Sequence, residues 1–82
     1  MVKKVKKMVK LIFPQHLIKE PITYKVALKY KIIPNIRRAK VTETVGELVL
    51  ELTGQEKSLN NAIKYLKKIG VEVYDIEGDI LD

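Results

Sequence analysis

Few side chains in this 82-residue chain can do chemistry. There is one histidine, His16, and no cysteine, and the ten carboxylates are scattered. Without cysteine there is no disulfide, no thiol nucleophile, no thiolate-ligated zinc and no iron–sulfur cluster. With one histidine, neither a histidine metal site nor a histidine triad can be assembled from a single chain. No glycine-rich phosphate loop, paired catalytic carboxylates or metal-ligand spacing stands in the sequence. The expectation is a non-enzymatic protein that carries no cofactor and no metal, with His16 a surface polar residue.

The stretch Asn35-Ile36-Arg37-Arg38, directly after Pro34, is the best candidate for recognition. An asparagine amide offers donors and an acceptor, so Asn35 suits the amino or carboxylate group of a small ligand. Its alternative role is a turn residue tolerant of unusual backbone angles. Arg37 and Arg38 can grip a carboxylate bidentately, although exposed arginines on an edge strand are commonly solvated.

The net charge of +6 conceals a division. Residues 1–40 carry twelve Lys or Arg against Glu20 alone, whereas residues 41–82 carry four Lys against nine Asp or Glu. Lys3, Lys4, Lys6, Lys7 and Lys10 could form a basic arm for an anionic partner. The favoured reading is internal neutralisation, with first-half lysines beside second-half carboxylates across a sheet. Nucleic-acid binding is the less favoured one, because base stacking needs aromatic side chains and the chain holds one Phe and four Tyr.

The elements that must position these residues follow from periodicity. Val5 to Phe13 alternates, with Val5, Val9, Leu11 and Phe13 on one side and Lys4, Lys6, Met8, Lys10 and Ile12 on the other, and Pro14 ends the strand. Pro21 suits the first turn of a helix on which Ile22, Val26, Tyr30 and Ile33 recur, and which stops before Pro34. An extended segment from Asn35 to Thr44 places Ala39, Val41 and Val45 on one face, and Val45-Gly46 offers the reversal into Glu47 to Thr53. There Leu48, Leu50 and Leu52 point inward and Glu47, Val49 and Glu51 outward, and Gly54 ends the strand. Leu59, Ala62, Ile63, Leu66 and Ile69 mark a second helix stopped by Gly70, and Val71 to Ile76 is a last strand.

The order strand, helix, strand, strand, helix, strand is that of an α+β, ferredoxin-like βαββαβ domain, a four-stranded antiparallel sheet with two helices on one face. Its first and third strands are central neighbours, so Lys4, Lys6 and Lys10 share the uncovered face with Glu47 and Glu51. Met8, Ile12 and Val49 point the same way, and an apolar stripe there is read as an interface, chiefly for homodimerisation through the sheet face or edge, the alternative being the scattered apolar residues normal on any protein surface. One domain spans 1–82, with its core at about 5–77 and a flexible tail at 78–82. No apolar run approaches the roughly 18 residues of a membrane span, and no signal-peptide core follows the lysine-rich start, so a cytoplasmic location is expected.

Leu11-Ile12-Phe13-Pro14, Glu20-Pro21, Pro34-Asn35-Ile36, Gly46-Glu47-Leu48-Val49-Leu50-Glu51-Leu52, Ala62-Ile63-Lys64-Tyr65-Leu66 and Gly70-Val71-Glu72-Val73, taken in order, resemble the NIL domain. That family is named for an Asn-Ile-Leu motif, of which Asn35 and Ile36 match and Arg37 departs. The resemblance covers about residues 8–77. It implies an ACT-like regulatory domain of the kind found at the C-terminus of methionine-transporter ATP-binding subunits, where it binds methionine, or fused to ferredoxins. With no P-loop and no cluster cysteines, this chain would be a stand-alone version that senses methionine or a related sulfur amino acid. It would act as a dimer or through a transporter or sulfur-metabolism protein. By analogy Asn35 contacts the ligand, with Ile36 and Arg37 beside it. The alternative is a ligand-free interaction module or accessory subunit.

Overall fold

In a computed structural model, residues 4–76 are described. Strand β1 is Lys4–Pro14; a 3-10 turn at Gln15–Leu17 leads to helix α1, Ile22–Tyr30. Strands β2, Ile33–Val41, and β3, Val45–Gln55, form a hairpin, followed by helix α2, Glu56–Ile69, and strand β4, Glu72–Asp75. The antiparallel sheet has the order β2-β3-β1-β4, so the expected α+β, ferredoxin-like arrangement is what forms. Residue 77 and the tail expected at 78–82, like Lys3 of the lysine run, lie outside the described residues.

The core sits between the sheet and the helices. Val9, Leu11 and Phe13 of β1 and Leu50 and Leu52 of β3 meet Ile22 and Val26 of α1 and Leu59, Ala62, Ile63 and Leu66 of α2. Every second strand residue faces this layer, and α2 presents its apolar positions at i, i+3, i+4 and i+7. Burying one such Leu or Val side chain contributes roughly 1.5–3 kcal/mol. Half-buried against this core, the Tyr30 and Tyr65 rings lie 6.0 Å apart at 49°, and Lys29 Nζ sits 4.8 Å from the Tyr65 centroid.

Both helices end in the left-handed region. Gly70 has φ 109°, and Val71 N–H donates to the Leu66 carbonyl at 2.9 Å. Lys31 takes the same place after α1 with φ 56°, and Ile32 N–H donates to the Ala27 carbonyl at 3.1 Å. Each is a six-to-one closure that satisfies a terminal helix carbonyl.

Several local expectations are corrected. The helix closes before Ile33, so Ile32, not Ile33, is the core residue, and Ile33 opens β2 exposed. The reversal is made by Thr42–Val45 rather than Val45-Gly46. Thr42 Oγ1 accepts from Val45 N–H at 3.0 Å and from Thr44 N–H at 3.3 Å, while Thr42 N–H donates to the Val45 carbonyl at 2.8 Å. Gly46 therefore lies within β3, opposite Phe13 and Val41. By alternation Ala39 and Val41 face the helix side, whereas Val45 falls on the open face with Glu47 and Val49. Gly54 is also inside β3, paired with Val5.

Candidate functional site

Strand β2 is an edge strand, and eight of its nine residues are exposed, only Pro34 being half-buried. Its pairing with β3 places Asn35 opposite Glu51, Ile36 opposite Leu50 and Arg38 opposite Val49, so Arg37 is an extra residue in a bulge. A bulge bends the strand and re-aims the neighbouring side chains. Because Glu51 and Val49 face away from the helices, Asn35 and Arg38 belong to the open face. Arg37 joins them, with its Nη1 3.9 Å from Glu51 Oε1. Ile36 falls on the opposite, helix-facing side and is 54% exposed. The structure thus brings Asn35 and Arg37 together and separates Ile36 from both.

The expected interface stripe takes a different form. Met8 and Ile12 are half-buried on the open face, and Val49 is only 6% exposed, flanked across the sheet by Lys10 and Arg38. The long side chains of a central row can cover a valine in this way while keeping their charges in water. Val49 is therefore not presented to a partner. The exposed large apolar side chains lie elsewhere, chiefly Ile33, Ile36 and Val41 of β2, Leu28 and Tyr24 of α1, and Val45. Periodicity set Ile33 on the apolar row of the first helix and Val41 and Val45 on one strand face without marking them as exposed; α1 is only nine residues long and leaves the far half of β2 without a helix over it. The apolar content of Ile33–Val41 was the available signal.

Charges on the open face are partly matched. Lys10 Nζ lies 3.0 Å from Glu47 Oε2, a first-half lysine on a second-half carboxylate as expected. Lys4 and Lys6 stand opposite Gln55 and Thr53 instead of glutamates. At the other sheet edge the Tyr74 hydroxyl donates to Glu72 Oε1 at 2.6 Å. This hydrogen bond, reinforced by the nearby negative charge, raises the Tyr74 pKa above its ordinary 10.0.

Among the described residues, spaces large enough for a ligand open onto the surface. The gap in the core beneath α1, lined by Pro34, Leu50 and Leu52 among others, has a volume of about 10 Å³, room for one water at most. His16 is exposed at the rim of an open groove of about 300 Å³ between α1 and α2. A hollow of about 220 Å³ on the open face is lined by Arg38, Lys40, Glu47 and Val49. Among the described residues no group of His, Asp and Glu could hold a metal ion, and no helix is long and apolar enough to cross a membrane.

The sequence matches the NIL domain family over residues 7–74. Among solved structures, the C-terminal domain of an ABC transporter ATP-binding protein from Enterococcus faecalis is 28% identical, with a TM-score of 0.78 over 89% of this chain and 86% of that one. The de novo designed protein Foldit4 superposes with a TM-score of 0.61 over 94% of this chain and 100% of the design, and at 10% identity it speaks for the fold alone. No curated protein matches the chain.

Proposed function

The chain belongs to the NIL domain family, and from that premise we propose that it is a non-catalytic regulatory domain that binds methionine or a related sulfur amino acid between two copies of itself. The observation that carries this reading is the placement of Asn35-Ile36 on an edge strand whose apolar side chains are uncovered, with Ile36 54% and Val41 61% exposed. The gap in the core lined by Pro34, Leu50 and Leu52 is only about 10 Å³, so a ligand at this edge would lie on the surface, where a second copy can enclose it. A second β2 strand laid against this edge supplies that enclosure, since an unpaired edge offers main-chain donors and acceptors for a further strand. Asn35 then offers its amide to the amino or carboxylate group, and Ile33, 57% exposed on the same open face, supplies a wall for the thioether. The likeness to a domain of an ABC transporter ATP-binding protein supports a transporter as the regulated partner, on the cytoplasmic side where ATP is available.

The test is a thermal-shift and calorimetric screen against methionine, homocysteine, cysteine and S-adenosylmethionine, with sedimentation to read the oligomeric state. Ligand at about 100 times its Kd stabilises a site by roughly 2.7 kcal/mol, and each kcal/mol raises the Tm of so small a domain by about 4–8 °C. Asn35→Ala is expected to abolish the response without altering the unliganded Tm. A flat response from a protein that still dimerises through Ile36 and Val41 would replace the sensor reading with that of a ligand-free interaction module.

A further inference from the structure

We propose that the hollow beside the β2 bulge is a binding site for a compact oxyanion, a phosphate or carboxylate group carried by a small solute, held by Arg38 and Lys40. This inference does not depend on the amino-acid reading. Arg38, Lys40, Glu47 and Val49 line a space of about 220 Å³ on the open face. Across the sheet, Arg38 stands opposite Val49 and Lys40 opposite Glu47, while Lys10 flanks Val49 from the other side. Three cations therefore surround one carboxylate. That carboxylate is engaged by Lys10 at 3.0 Å, and among the described residues neither Arg38 nor Lys40 has a carboxylate within 4 Å.

The bulge gives the arrangement its shape. The extra residue, Arg37, reaches Glu51 and neutralises the second glutamate of the face. Arg38 and Lys40 are left as neighbours on one face of the same strand, where their like charges repel and an anion between them relieves the repulsion. A guanidinium presents a planar fork that matches two oxygens of a phosphate or carboxylate, and an ammonium adds a point charge. Val49, 6% exposed, gives the hollow an apolar floor that competes for none of the ligand's oxygens. Glu47 on the rim, tied to Lys10, leaves the pocket net positive.

The experiment is an amide NMR titration of the whole protein at constant ionic strength, once with inorganic phosphate and once with succinate. The expected result is a saturable shift centred on Arg38, Lys40 and Val49; saturation by phosphate alone or by succinate alone identifies which group the site takes. Arg38→Gln is expected to weaken binding about tenfold or more, the loss of one charge-assisted hydrogen-bond set. Lys64→Gln on α2 removes the same charge from an exposed position elsewhere and is expected to leave the affinity unchanged. Shifts that grow linearly without saturation, that spread over all the lysines, or that weaken equally in both variants would overturn the proposal.

Discussion

Ile32 Cγ2 stands 2.9 Å from the position that a Cβ on Gly54 would occupy. Ile32 is 4% exposed, and its Cβ and Cα also lie within 3.4 and 3.5 Å of that position, so more than the methyl group has to shift. Gly54→Ala is therefore expected to destabilise the domain by about 1–3 kcal/mol through overpacking. Ile32→Ala alone costs about 2–5 kcal/mol as a cavity, but the double variant should be less destabilised than the sum of the two. Denaturant unfolding of the four proteins measures that coupling, and strict additivity would show that the close approach is not what fixes glycine at this position.

The two helix ends predict changes of opposite sign. Gly70 has φ 109° and Lys31 φ 56°, both in the region that a Cβ disfavours. Gly70→Ala is expected to cost about 1–2 kcal/mol, the penalty of a side chain in the left-handed region. Lys31→Gly is expected to raise stability by up to about 1 kcal/mol, because the strain is relieved at an exposed position. Thermal melts of the two variants should move in opposite directions.

The same residues show how far the sequence could be read. Element order, the antiparallel sheet and the inward rows Val9, Leu11, Phe13 and Leu50, Leu52 follow from period-2 and period-3.6 patterns that the core enforces. Ile32 and Ile33 are adjacent and chemically identical, and the choice between them was made by Lys31 entering the left-handed region, a conformation that lysine gives no reason to expect. The hairpin turn was likewise set by Thr42, whose hydroxyl closes it, and not by the glycine that dipeptide preferences favour. At the candidate site, Asn35 and Arg37 were legible as residue types. Simple alternation puts them on one face apart from Ile36; that Arg38 joins them while Ala39 and Val41 turn to the helix side was not legible, because the bulge between Ile36 and Arg38 shifts the alternation by one residue. Val49 was read as outward, which it is; its burial depends on long neighbours from two other strands, which no local pattern encodes.

Lys10 and Glu47 join the halves of the chain that differ most in charge. Their side chains are 38% and 34% exposed, and they bridge the two central strands at 3.0 Å. The pair is therefore expected to contribute about 0.2–1 kcal/mol, the range of partly solvated ion pairs. A double-mutant cycle with Lys10→Met and Glu47→Gln should return a coupling in that range at low salt and less of it in 1 M NaCl, where the Debye length falls to about 3 Å. A coupling that survives unchanged in high salt would mean that packing of the aliphatic stems, and not charge, joins the two residues.

Tyr74 and Glu72 give the fold an alkaline pH dependence whose sign follows from their hydrogen bond. The neutral hydroxyl donates to the carboxylate at 2.6 Å. Ionisation removes the donor and sets two negative charges side by side, so the pKa of Tyr74 in the folded protein lies above the ordinary 10.0. The folded state then holds this proton more tightly than the unfolded state does. The associated stability is complete below the ordinary tyrosine pKa and is lost as pH rises through the higher folded value. Site-resolved NMR of the Tyr74 ring should place its midpoint above 10, and Glu72→Gln should bring that midpoint down. In Tyr74→Phe the part of the alkaline loss of stability that belongs to this pair should vanish. If the variant and the parent lose stability along the same curve above pH 10, the hydrogen bond does not persist in solution.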